Sequence, residues 1–464
     1  MLFSSFVFLS IFLPVLLALY YFSDKKYRNP ILLVCSLLFY GWGEPVLLSV
    51  MLLSILWNYL IALWLDTQKT GWRKTVILSL GILADLLALG YFKYMDFFLQ
   101  NINRFFGSDL PLLRIIMPIG ISFYTFQAIS YLVDVYRKDV KAERNLLNTG
   151  LYISFFPQLV AGPIVKFHEI SAQLTERNET LSDVSDGFQR FIEGLAKKVL
   201  IANVMGITAD AVFNRGISEL TVADLWLGAI AYSFQIFFDF SGYSDMAIGL
   251  GKMFGFKIPE NFNYPYISTT ITEFWRRWHI SLSSWFREYL YIPLGGSRGS
   301  KIATLRNLLI VFAVTGFWHG ASWSFIFWGL WHGFFIILER ILNLQKRTFS
   351  SVWKWVMHLY LLLAVLIGWI FFRADDFEYS IAYIKKMFEF HHWEAPEITL
   401  SPLFGVMLFV SVVFSTELPR RLYQKWIKYG VFSALWKLLC AVFLFLILIK
   451  LAGSSYNPFI YFRF

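Results

Sequence analysis

The 464-residue chain is poor in charge: Asp, Glu, Lys and Arg together make up 16% of it, against about 25% in an average globular domain. Hydrophobic residues reach 57%, where such a domain has about 45–50%, and the mean hydropathy is +0.57. A water-soluble chain of this length has too much surface to cover with so few polar side chains. Secreted, disordered, collagenous and ordinary cytosolic classes are therefore excluded. Cysteine is nearly missing as well. Cys35 and Cys440 both lie in apolar runs and form neither a disulfide framework nor a metal-ligand spacing. There is no G-x-x-x-x-G-K-S/T loop for nucleoside triphosphates and no G-x-S-x-G nucleophile elbow. The histidines show no H-E-x-x-H pattern, so no zinc or other metal site is expected. Gly249, Gly251 and Gly255 are too loosely spaced to open a dinucleotide-binding unit and fit close helix packing instead.

What the chain has in abundance is long apolar runs and aromatic rings, with 49 Phe, 18 Trp and 24 Tyr. This is the composition of an all-α polytopic membrane protein with aromatic interfacial belts. A spanning helix needs about 20 apolar residues. Residues 2–22 form the cleanest such run. They lack a basic leader and a small-residue cleavage site, so they read as a retained helix. Further candidates are 31–40, 46–65, 76–92 with Asp85 inside it, 115–135, 220–240, 305–318, 322–338, 352–372, 403–414 and 435–451. Residues 146–164 are broken by Pro157, Gly162 and Pro163. Irregular backbone at membrane depth survives only where protein or a water-filled cavity satisfies it. The expectation is about 11 or 12 crossings, with re-entrant helices around a central cavity. Residues 182–213 carry Phe188, Phe191, Ile192, Leu195 and Val199 at helical spacing, with Arg190, Glu193, Lys197 and Lys198 on the other face. They read as an amphipathic helix, lying in the interface or packed on the bundle.

Net charge is +10. In a membrane protein this is mostly Lys and Arg held on the cytoplasmic side. It also suits anionic membrane lipid, a phosphorylated donor or an acidic carrier protein, and it does not point to nucleic acid. Lys25, Lys26 and Arg28 follow the first run, and Arg420, Arg421, Lys425 and Lys428 precede the last. Both loops are expected in the cytoplasm, which puts both termini outside and favours 12 crossings. The whole chain, 1–464, reads as one integral-membrane domain, with 435–464 as its last helix and an extracytoplasmic tail.

Polar residues gather in the middle. Asp239 and Asp245 stand beside apolar sequence, followed by Asn261 and by Trp275-Arg276-Arg277-Trp278-His279. Ionisable groups at membrane depth line a cavity or pair with one another. Asp239 or Asp245 with Arg276 or Arg277 is the pairing expected from the sequence, and a purely structural ion pair is the plainer reading of it. The two aspartates, six apart, fit one helical face poorly, which argues against a glycosidase carboxylate pair. His319, in Gly316-Phe317-Trp318-His319-Gly320, sits between strongly apolar segments. A neutral imidazole there can take a proton, although a lone histidine on an apolar helix is more often a hydrogen-bonded core residue. His279 and His332 are weaker candidates of the same kind.

Taken together, Tyr243-Ser244-Asp245-Met246-Ala247-Ile248-Gly249, Asn261-Phe262-Asn263, residues 275–283, Tyr289-Leu290-Tyr291-Ile292-Pro293-Leu294-Gly295-Gly296 and Trp318-His319-Gly320 resemble the membrane-bound O-acyltransferases. Pro118-Ile119-Gly120 and Ala161-Gly162-Pro163 extend the likeness over nearly the whole chain. The most similar branch is that of bacterial alginate O-acetyltransferase membrane subunits and their peptidoglycan-acting relatives; teichoic-acid D-alanyl transfer proteins are more distant. The resemblance implies a funnel on each membrane face joined by a tunnel, and acyl transfer from a thioester to a hydroxyl. It puts the catalytic histidine at His319 and a second functional position at His279. His319 would be the general base. His279, with Arg276 or Arg277, would position the donor or stabilise oxyanion charge. Trp275, Trp278 and Trp318 would wall the tunnel, with Asp245 and Asn261 beside it. The donor would be acetyl-CoA or an acyl-carrier thioester, with no bound cofactor. The partner would be an extracytoplasmic SGNH-type acetyltransferase or a related envelope protein, and the location the bacterial cytoplasmic membrane.

The tail Ser454–Phe464 is similar to the end of the small peptide that accompanies D-alanyl transfer proteins and carries an acyl group on a tyrosine. That likeness makes Tyr461 a candidate acyl relay, with an interfacial aromatic anchor as the simpler alternative. D-alanyl transfer to teichoic acid remains a competing reading. So do a polysaccharide exporter and a non-catalytic scaffold.

Overall fold

The computed structural model describes residues 1–347, 349–453 and 456; for Lys346 and His392 it describes the backbone only. Among the described residues there are helices and no strand. Among the described residues, six helices are long and apolar enough to cross a membrane: Leu48–Thr67, Trp72–Phe106, Lys301–His319, Trp323–Ile341, Ser351–Arg373 and Gly430–Gly453. Phe8–Phe22 and Phe404–Phe414 are shorter apolar helices. The protein is thus an all-α polytopic membrane protein.

Several expected runs take another form. The run expected over 115–135 becomes helical only at Ile121, after Gly120 turns the chain at φ +74°. A side chain at Gly120 would lie 2.6 Å from the Leu159 carbonyl oxygen, so glycine is required there for two reasons. The interrupted stretch 146–164 forms two short helices, Leu146–Ser154 and Phe156–Leu159. The amphipathic stretch is not one helix. It runs as Leu181–Ala196, a π-helical turn Lys197–Ala202, and then Asn203–Phe213.

The chain packs as two compact units, residues 1–191 with 246–259 and residues 192–245 with 260–464. In the first, Asp85 accepts a hydrogen bond from Asn58 Nδ2 at 2.9 Å within the apolar bundle. Glu179 there takes the Arg28 guanidinium at 2.7 Å and the Tyr20 hydroxyl at 2.5 Å.

The second unit carries the candidate site. Its helices are numbered α1 (Asn203–Phe213), α2 (Val222–Met253, which ends in the first unit), α3 (Ile271–Arg277), α4 (Ile280–Phe286), α5 (Lys301–His319), α6 (Trp323–Ile341), α7 (Ser351–Arg373) and α8 (Gly430–Gly453). Helices α5 and α6 form a tight hairpin. Gly316 and Gly329 face each other so closely that a Cβ on Gly329 would sit 2.2 Å from the Phe312 carbonyl oxygen, and one on Gly316 2.3 Å from that of Phe325. Small residues at such a crossing let two backbones touch, which is how apolar helices gain packing energy without water. The turn between them is short because Gly320 leaves α5 in extended conformation and Ser322 caps α6.

Candidate active site

His319 is the last residue of α5 and is buried. Three rings surround it: its neighbour Trp318 with centroids 4.9 Å apart, Trp328 of α6 at 4.9 Å edge-on, and Phe372 of α7 at 5.2 Å. The α5–α6 hairpin therefore decides which ring meets the imidazole.

His279 occupies the single-residue break between Trp278 and the start of α4. Its φ of +44° and ψ of +54° lie in the left-handed region, which a side-chain-bearing residue seldom adopts. The surroundings hold it there. Its peptide neighbour Ile280 donates to the Asn261 carbonyl at 3.0 Å, and Asn263 donates to the Arg277 carbonyl at 2.9 Å. The Asn261 side chain completes the clamp. Its Oδ1 accepts from the Ser281 amide at 3.1 Å and the Ser281 hydroxyl at 2.9 Å, and it lies 3.2 Å from His279 Nδ1. Its Nδ2 donates to Ser244 Oγ at 3.1 Å. A backbone N–H can only donate, so the atom facing Ser281 is the amide oxygen, and Nδ1 of His279 must carry the hydrogen. Nε2 is then the bare nitrogen. It is buried and has no hydrogen-bond partner among the described residues. Burial pushes the imidazole down to about 3, so the ring is neutral at cellular pH.

Trp318 joins the two histidines: its ring lies 6.4 Å from that of His279 and 4.9 Å from that of His319. Trp275 reaches the same chamber from α3, 5.7 Å from Trp328 and 5.3 Å from His332. Trp278 belongs to a neighbouring layer, packed on Phe274 at 5.5 Å and Trp369 at 4.8 Å.

The ion pairing differs from the expectation. Asp239 is held by Lys198 at 2.7 Å and Asp245 by Lys197 at 2.6 Å. Arg276 is exposed, and Arg277 turns to Glu273 at 3.1 Å and Glu417 at 3.8 Å. The reason is the facing of α3. Trp275 points into the core, so its two successors point out. Lys198, expected on a polar face, is buried, because the π-helical turn adds a residue and rotates the register. Asp245 thus belongs to a structural pair rather than to the histidine chamber. Tyr461 lies outside the described residues.

Three residues of the chamber are little marked out by the sequence. Trp328 and Phe372 looked like two more rings in apolar helices. His332 is fully buried, 5.2 Å from Trp328, and neither ring nitrogen has a partner among the described residues. Outside the chamber, Glu339 of α6 is fully buried and caps α3: it accepts from the amides of Ile271 at 2.5 Å and Thr272 at 2.9 Å, the Thr272 hydroxyl at 2.7 Å and the Tyr360 hydroxyl at 3.2 Å. A carboxylate inside an apolar run was the available signal.

An apolar, aromatic-walled chamber holding buried histidines can move a proton while keeping bulk water out. Over residues 35–380 the chain matches the model of the membrane-bound O-acyltransferase family, and it belongs to that family. It is therefore an integral membrane enzyme that transfers acyl groups to oxygen. It is 41% identical over its whole length to the "Probable alginate O-acetylase AlgI" of Pseudomonas putida, all of which is covered. It is 38% identical to the peptidoglycan O-acetyltransferase of Helicobacter pylori, over 83% of this chain and 80% of that one. A teichoic acid D-alanyltransferase of Streptococcus thermophilus is 30% identical over 50% of this chain and 59% of its own.

Proposed function

We propose that the protein takes an acetyl group from a cytoplasmic thioester, acetyl-CoA or an acyl-carrier protein, and delivers it across the membrane for O-acetylation of an envelope polysaccharide such as alginate or peptidoglycan. The arrangement of His319, Trp318 and His279 in one buried aromatic chamber is the observation that carries this reading. His319 removes the proton of an acceptor hydroxyl as its oxygen attacks the acyl carbon. The tetrahedral adduct collapses, the C–S bond breaks, and the imidazolium returns its proton to the leaving thiolate. Atoms balance as thioester plus alcohol giving ester plus thiol. The rings of Trp318, Trp328 and Phe372 packed on His319 exclude water that would hydrolyse the thioester.

His279 has a narrower role than the resemblance implied. With hydrogen on Nδ1 and a lone pair on Nε2 it accepts a hydrogen bond, so it orients an N–H or O–H of donor or acceptor and does not stabilise an oxyanion. Arg276 and Arg277 take no part. Tyr461 is the proposed carrier of the acetyl group on the outer face: a phenol, with its ordinary pKa near 10, leaves more readily than an alkyl alcohol. From there an extracytoplasmic acetyltransferase of the SGNH type would collect it. The inner membrane, with both termini outside, is the matching location. The match to D-alanyltransferases favours a second donor, a D-alanyl carrier thioester.

The test is purified protein in nanodiscs with radiolabelled acetyl-CoA, beside His319→Ala and Tyr461→Phe. Label on the chain that requires both residues is the expected result. Envelope acetylation in cells that survives His319→Ala would overturn the reading in favour of an exporter or scaffold.

A further inference from the structure

Helix α8 ends at Gly453, and Tyr456 just beyond it is tied back to the second unit. Its hydroxyl donates to Asp210 Oδ2 at 2.7 Å. Asp210 stands on α1, and its other oxygen accepts from Arg373 Nη2 at 2.7 Å. Arg373 is itself buried, reaches Asn214 Oδ1 at 3.3 Å, and lies over the ring of Phe213 at 5.2 Å. The carboxylate is thereby gripped from two sides, by the Arg373 guanidinium on one oxygen and by the Tyr456 hydroxyl on the other.

The same face of α1 carries a notch. Gly206 is one helical turn before Asp210, and a Cβ there would lie 2.9 Å from the Tyr456 hydroxyl and 2.7 Å from Gln235 Nε2. Gln235 adds a buried Oε1 with no hydrogen-bond partner among the described residues, an acceptor open to a peptide N–H. Absence of a side chain at 206, an oriented carboxylate at 210 and an open amide oxygen at 235 together make a place shaped for a segment of chain bearing a hydroxyl.

This place adjoins the histidine chamber along α7. Arg373 directly follows Phe372, whose ring packs 5.2 Å from His319. A five-residue stretch reaches at most about 17 Å, so anchoring position 456 limits where position 461 can go.

We propose that Gly206, Asp210, Arg373 and Gln235 form a seat for the chain's own C-terminal segment, and that docking of Tyr456 in it sets the reach of Tyr461 toward the acyl group. The four seat residues are positioning residues. The proposal rests on the relay reading of Tyr461 and adds what guides the relay.

The experiment uses the full chain in nanodiscs, comparing wild type with Tyr456→Phe and Gly206→Ala. Tyr456→Phe deletes one hydroxyl outside the helices, and Gly206→Ala fills the notch with a better helix former, so neither threatens the fold. Two quantities are read: acetyl label on Tyr461 by peptide mass spectrometry at saturating acetyl-CoA, and hydrogen exchange of residues 454–464. Loss of a bond to a carboxylate should cut label on Tyr461 about tenfold in either variant, with faster exchange of the tail. Labelling at the wild-type rate in both variants overturns the seat. If wild type itself carries no label on Tyr461, the relay reading falls, and exchange alone then decides the seat: equal tail exchange in wild type and Tyr456→Phe overturns it, and faster exchange in the variant upholds it.

Discussion

His279 and Asn261 are locked together through Nδ1 and Oδ1, 3.2 Å apart, and the locking atom also receives the Ser281 amide. One amide side chain therefore fixes the tautomer of a buried imidazole and stabilises the left-handed backbone on which it sits. Strain of this kind persists only where surroundings over-determine it. Here the cause is visible: residues 261–263 run beside residues 277–281 and exchange backbone hydrogen bonds with them.

Replacing Asn261 with Asp gives a pH test. The neutral ring of His279 is kept uncharged by burial, its pKa pushed down to about 3, so wild-type activity should show no acid limb from it above about pH 4. A carboxylate beside Nδ1 favours the imidazolium and raises that pKa. Nε2 then becomes protonated as pH falls and stops accepting. The Asn261→Asp variant should lose kcat/KM on acidification in a range where wild type is flat, as read from pH–rate profiles.

His319→Ala should reduce acyl transfer by about 100- to 10,000-fold, the usual contribution of a general base. The melting temperature in detergent should change little by comparison. Both are measured on the same preparation.

Glu339→Gln should weaken activity without touching the chamber. One amide oxygen can still accept, but the NH2 group faces donors at the start of α3, leaving a buried mismatch of about 1–3 kcal/mol. Thermal unfolding should report the loss, and the fall in kcat should accompany it, because α3 carries Trp275 to the chamber wall.

Gly329→Ala should be among the most damaging single-methyl additions in the chain. The new Cβ would meet the Phe312 carbonyl at 2.2 Å, and backbone cannot yield as a side-chain tip would. Separating α5 from α6 moves Trp328 off His319. Overpacking costs about 1–3 kcal/mol or more, measured as loss of folded protein on size-exclusion chromatography together with loss of turnover.

Lys198→Met should destabilise by about 3–5 kcal/mol, since it leaves Asp239 buried without its cation. Adding Asp239→Leu should recover much of the loss. The corresponding change Arg276→Met should have little effect, which separates the observed pairing from the one the sequence suggested.

Much of the architecture was legible in the residues. Long apolar runs announce spanning helices because lipid offers no partner for an exposed peptide group. Gly320 marks the end of α5, and the breaks at Pro157 and Gly162 foretell short helices. The run of 115–135 was misplaced at its start because Gly120 acts through a left-handed turn against Leu159, a contact no hydropathy pattern contains.

By itself, the sequence determined the class of protein and put His319 forward, since an ionisable group in an apolar run stands out against its neighbours; the family resemblance added His279, Trp275 and Trp318. Only the tertiary structure decided how they meet. That Asp239 and Asp245 take Lys198 and Lys197, that α3 turns Arg276 outward, and that Asn261 sets the His279 tautomer all depend on contacts between segments far apart in the chain. Periodicity records which face of one helix is buried; it carries no information about which side chain of another helix will lie against it.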